Sequence, residues 1–146
     1  GFTGDRKYLY HTESGASVIR KYAYNEETGE LSERRTFVDA TSEKGFPDGM
    51  TVAEDDTVWS ARWNGGCLVH YDTDGTEIER VDFPARKGSS LTFGGDEYGT
   101  AFVTTALGPG ETSKNSKEQE GPGAGAVFKI NLGISGRPEF RSRVMI

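Results

Sequence analysis

The chain has 146 residues, 17 Lys and Arg against 23 Asp and Glu, a formal charge of −6, and 34% apolar residues. An acidic chain with no basic cluster repels a phosphate backbone, which argues against nucleic acid as a partner. No apolar run reaches the length of about 18 residues that reads as a membrane-spanning helix, and the single cysteine, Cys67, leaves no partner for an internal disulfide. Gly1–Gly4 carries no signal-peptide pattern, so the expected compartment is the cytoplasm. Twenty glycines, mostly at turn-like positions, together with 11% aromatics favour many short strands over long helices.

In chain order the sequence reads as three copies of one unit. In the first copy, strands are expected at Lys7–Thr12, Ser17–Asn25 and Leu31–Asp39, with Glu26–Gly29 as a polar turn. Only Gly1–Thr3 is left for an innermost strand, so the chain is expected to start inside a unit. The middle copy is the clearest. Gly49–Ala53 is a short strand ended by Glu54-Asp55-Asp56, and Thr57–Arg62 alternates as a strand does. Asn64-Gly65-Gly66 carries the Asn-Gly hairpin signal, Cys67–Asp72 is the third strand, and Thr76–Phe83 the fourth after the Thr73-Asp74-Gly75 turn. In the third copy, strands are expected at Leu91–Phe93, Ala101–Thr105, Ala126–Asn131 and Glu139–Val144. The Gly-, Ser-, Lys- and Glu-rich insertion between its second and third strands, 107–125, is expected to be mobile. Lys114–Glu120, the best helical stretch, is polar throughout and reads as loop.

Four antiparallel strands joined by tight turns make one propeller blade. The fold class is therefore all-β, with blades at approximately 1–43, 44–86 and 87–146. Three blades leave two apolar end faces, and such faces mark an interface. The chain is expected either to be a fragment that lacks its first half or to pair with a second copy of itself.

Several segments carry a family resemblance. Phe46-Pro47-Asp48-Gly49-Met50 through Trp59 resembles the Pro-Asp-Gly-Met blade start of the gluconolactonase family, also called the regucalcin or senescence marker protein family. Trp63-Asn64-Gly65-Gly66 is similar to that family's Tyr-Asn-Gly-Gly turn, with Trp63 in place of the Tyr. Thr28-Gly29-Glu30-Leu31-Ser32, Thr92-Phe93-Gly94-Gly95 and Gly125–Ile130 match further family patterns in the same order. The resemblance implies a six-bladed β-propeller, of which this chain supplies the C-terminal three blades. It also implies a metal-dependent lactone hydrolase that opens a cyclic ester with metal-activated water. The family's divalent ion is held by a Glu, an Asn and an Asp. The Asp corresponds to Asp48, while the places of the Asn and the Glu fall upstream of Gly1. Calcium comes first among the implied ions, with zinc, magnesium or manganese as alternatives. The alternative reading is a non-catalytic half-propeller, or a self-associating binding module, that lacks the full metal site.

Asp48 is thus the candidate metal ligand and catalytic base, since a carboxylate binds a hard cation and accepts a proton. By residue type alone, Pro-Asp-Gly is also an ordinary β-turn. Trp63, Ser89 and Ser90 are candidates for lining the substrate channel. A blade-packing role for the Trp and a turn role for the serines are the competing readings. His11 and His70 lack metal-ligand spacing and read as structural or exposed. Cys67 reads as a packing residue, and Glu54-Asp55-Asp56 as an inter-strand turn rather than a calcium loop. Gly121–Gly125 follows no strand-to-helix pattern and does not read as a dinucleotide loop.

Overall fold

A computed structural model of the protein describes residues 1–107 and 118–141. The described residues form three antiparallel sheets in chain order. The first contains β1 (Tyr8–Glu13), β2 (Val18–Tyr24) and β3 (Leu31–Asp39), with a 3-10 turn at Ser14–Ala16. The second contains β4 (Phe46–Val52), β5 (Val58–Trp63), β6 (Cys67–Tyr71) and β7 (Glu77–Asp82). The third contains β8 (Gly88–Gly94), β9 (Thr100–Thr105) and β10 (Val127–Ile130). Each sheet is a meander in which sequence neighbours pair.

Strand alternation decides what each sheet buries. On β5, Val58 belongs to one core cluster, with Tyr10, Ile19, Phe37, Val52, Val69 and Tyr71. That cluster fills the space between the first and second sheets. Trp59 and Ala61, on the opposite side of β5, join Leu68, Leu91, Phe93, Ala101 and Val103 between the second and third sheets. The middle sheet is therefore covered on both faces, and β5 and β6 are buried throughout apart from Trp63. Where β9 turns away from the second sheet, the pattern reverses: Ala101 and Val103 are fully buried, whereas Phe102 is 36% exposed. Val127, on neighbouring β10, is 64% exposed.

The turns follow from residue chemistry. Asn64 and Gly66 take left-handed φ values of 61° and 66° between β5 and β6. In the Glu54–Asp56 turn, the Asp55 carboxylate accepts the amide and hydroxyl of Thr57, and Asp56 accepts the Gly4 amide and the Arg137 guanidinium. Arg137 also donates to the carbonyls of Ala53 and Glu54, so one side chain ties residues near the described C-terminal end to the turn between β4 and β5.

The structure departs from the sequence expectations in a few places. β4 starts at Phe46 and β8 at Gly88, each three residues before the expected strand, because both strands continue through a bulge rather than beginning after a turn. The innermost position of the first sheet is held by a single bridge, Phe2 to Leu9. Residues 139–141 are irregular, against the expected strand at Glu139–Val144; 142–144 lie outside the described residues. Here Ser135 pairs with Glu54, and Gly136 with Tyr98, so the segment leading to 139 is engaged away from β10. Residues 118–120 are helical where a loop was expected, and 108–117, most of the expected mobile insertion, lie outside the described residues. Among the described residues no helix is long and apolar enough to cross a membrane.

Candidate functional site

The leading strands of the three sheets lie side by side, with β4 between β1 and β8. Asp48 sits on β4 where the ladder to β5 slips. Pro47 faces Arg62 and Met50 faces Ser60, so the two residues Asp48 and Gly49 oppose the single residue Ala61. Such a bulge re-aims a side chain relative to the pleat. β8 carries the same irregularity one sheet further on, between Gly88 and Ser90. The two bulges touch: a Cβ at Gly49 would collide with the Ser90 side chain and the Ser89 carbonyl. Only glycine allows this approach, which explains the Asp-Gly pair physically.

The Asp48 carboxylate is half-buried and makes no hydrogen bond or ion pair with any described residue. Burial alone pushes its pKa above the ordinary carboxylate value. A carboxylate in that condition lacks a positive partner, and a hard cation is the ligand that fits it. Among the described residues no group of three or more His, Cys, Asp or Glu could hold a metal ion.

Of the other candidates, only Ser90 brings its side chain against the bulge that carries Asp48. Ser90 faces the second sheet against Gly49. The Ser89 hydroxyl lies 2.8 Å from the Thr104 hydroxyl and 3.1 Å from the Thr104 carbonyl, on the Thr104 side of its sheet. Trp63 ends β5 opposite Phe46, two residues before Asp48, and is partly exposed. His11 is exposed. His70 is buried, stacks on Trp59 with centroids 4.2 Å apart, and lies 2.8 Å from the Thr57 hydroxyl. Burial holds the His70 pKa below its ordinary value. Cys67 is buried with its thiol pKa pushed up by burial, as suits a packing residue rather than a nucleophile.

Sequence reasoning missed the charged groups around Trp63. The Lys87 ammonium stands 5.7 Å from the Trp63 ring centroid and 2.7 Å from Glu120 Oε1. Arg86 donates to both oxygens of Glu120 at 2.9 and 2.7 Å, and Glu120 is 3% exposed. No local signal joins positions 33 or 34 residues apart. The paired cations hold the Glu120 carboxyl down at about 2. The unfolded chain binds the proton near the ordinary value of 4.5, so this contribution is complete above that pH and disappears as pH falls towards 2. The thermal midpoint of the wild type should therefore drop more steeply between pH 5 and pH 2 than that of Glu120→Gln; parallel curves would contradict the assignment.

A second missed residue is Arg62, a fully buried cation on β5. Its signal was available: a lone charge in a strand run, Val58–Trp63, otherwise made of apolar and small residues.

Residues 1–107 match the family model described as the SMP-30/gluconolactonase/LRE-like region. The chain is 48% identical over 147 residues to the pentonolactonase XacC of Haloferax volcanii, across 100% of this chain and 50% of that protein. It is 32% identical over 138 residues to regucalcin of Danio rerio, across 93% of this chain and 46% of that protein. A solved structure described as a calcium-binding protein, regucalcin, from Agrobacterium tumefaciens superposes with a TM-score of 0.85 at 27% identity, over 98% of this chain and 48% of that one. The chain spans about half the length of the curated relatives it matches.

Proposed function

The chain belongs to the SMP-30/gluconolactonase/LRE-like family, and from that premise we propose that it forms part of a metal-dependent lactone hydrolase with Asp48 as one of the cation's ligands. The observation that carries the reading is the half-buried Asp48 carboxylate, presented by a bulge and left without a partner among the described residues. The pentonolactonase relative supports a sugar-derived lactone as substrate, and the calcium-binding neighbour supports calcium as the ion.

The whole working unit is proposed as a six-bladed ring, with the three sheets as blades at about 1–43, 44–86 and 87–146. The exposed Phe102 and Val127, on the side of the third sheet turned from the second, support further blades packing there. Those blades would supply the remaining metal donors. They come from the N-terminal half of the family fold or, failing that, from a second copy of the chain.

The chemistry that a divalent ion would supply there is to polarise a lactone carbonyl and make water nucleophilic near neutral pH. Asp48 would hold the ion through its carboxylate, and the same group would accept the proton that the attacking water releases. Ring opening yields the hydroxy acid. Trp63, Ser89 and Ser90 are kept as the proposed channel-lining residues, and Ser90, which abuts Gly49 beside Asp48, has the most direct support. In the protein that carries this chain, lactone opening followed by acid release at constant pH should fall to background on chelation and return on adding calcium. Turnover that survives complete metal removal would overturn the proposal.

A further inference from the structure

Arg62 is the penultimate residue of β5 and faces Pro47 across the ladder, one position before the bulge that carries Asp48. Its side chain is 0% exposed. Nη2 donates to Glu43 Oε1 at 3.1 Å and to the Tyr71 hydroxyl. The other Glu43 oxygen accepts Arg80 Nη2 at 2.8 Å, and Arg80 is itself gripped by Glu77 at 2.7 and 2.9 Å. Glu43 belongs to the connection between β3 and β4, the segment that delivers Asp48. The ion pair thus ties the entry of β4 to the strand beside it.

The same junction is packed without slack. A Cβ at Gly45, where φ is +75°, would collide with the Trp63 carbonyl and the Gly65 amide, and one at Gly65 would collide with Arg62. A buried ion pair is a poor source of stability compared with an apolar residue of similar volume. Arg62 Nε and Nη1, which find no hydrogen-bond partner among the described residues, make it poorer still. What a rigid guanidinium fork does supply is geometry.

We propose that Arg62, acting through Glu43, sets where the β4 bulge presents the Asp48 carboxylate, and so is a positioning residue for the cation ligand; this rests on the reading of Asp48 as that ligand. Arg62 touches neither substrate nor ion.

The test compares Arg62→Met, Glu43→Gln and Asp48→Asn in the protein that carries this chain. It measures calcium affinity by calorimetry and amide hydrogen exchange over residues 43–50 in the metal-free state. Arg62→Met should weaken calcium binding by about 10–100-fold, the range for losing a group that orients a ligand. It should also speed exchange over 43–50 while leaving β2 unchanged. Glu43→Gln should shift both readouts the same way and by less, and it carries the test alone if Arg62→Met fails to fold. Asp48→Asn should bind no calcium. Wild-type affinity and exchange in Arg62→Met and Glu43→Gln, with Asp48→Asn inactive in binding, would overturn this inference alone. Wild-type affinity in Asp48→Asn would overturn the ligand reading and this inference with it.

Discussion

Replacing Asp48 with asparagine in the protein that carries this chain will lower lactone turnover by at least about 10³-fold, the scale expected when a group serving proton transfer is lost. The substitution keeps the volume and removes the charge. On the proposed reading it deletes both the anionic oxygen for a hard cation and the group that takes up the water's proton. The same change will raise, not lower, the thermal midpoint of the metal-free protein. The Asp48 pKa is raised in the fold by burial. The folded state therefore binds its proton more readily than the unfolded chain, and the wild type loses stability as pH rises through that folded pKa. Asparagine carries no such cost at neutral pH. Calcium reverses the order: an ion at 100 times its Kd stabilises the wild type by about 2.7 kcal/mol and leaves Asp48→Asn where it was. Thermal scans with and without calcium check this. Turnover within tenfold of wild type, or an equal calcium shift in both proteins, would contradict it.

Trp59→Ala will be the most damaging core substitution, costing about 3–5 kcal/mol. Trp59 is fully buried on β5, stacks on His70 at an interplanar angle of 12°, and packs in the cluster that joins the second and third sheets. Truncation removes the ring's apolar contacts and leaves a cavity between two sheets whose ladders prevent collapse. At about 2–4 °C per kcal/mol for a domain of this size, the midpoint should fall by roughly 10 °C. Ile78→Ala, at a position 55% exposed on β7, is the matched control and should stay within about 0.5 kcal/mol. The check is the denaturant midpoint of both variants. A Trp59→Ala loss below about 1 kcal/mol would mean that the two sheets do not depend on this contact.

Much of the fold was legible because its signals are local. Alternation at Val58–Trp63 and the Asn64-Gly65-Gly66 turn mark the second sheet, and the same spacing repeats on either side. The strand starts were less legible. A proline and a glycine around Asp48 read as a turn, whereas β4 runs through them as a bulge whose shape depends on β5 and β8. Residues 139–141 were misread because the chain leading to them is held by tertiary ties at Ser135, Gly136 and Arg137. At the site, Asp48 could be singled out only by family resemblance, since one carboxylate in a Pro-Asp-Gly run carries no chemistry of its own. The Glu120 clamp on Arg86 and Lys87 joins residues distant in the chain and becomes visible only in three dimensions. Arg62 and its partner Glu43 were both missed, since the pair joins residues 19 apart in the chain.

The most direct measurement of the central claim is the position of the ion itself. Crystals of the protein that carries this chain, grown with calcium or with manganese as an anomalous scatterer, should show one ion with an Asp48 carboxylate oxygen at about 2.3–2.6 Å for calcium. An ordered ion bound elsewhere, with Asp48 turned to bulk solvent, would contradict the account.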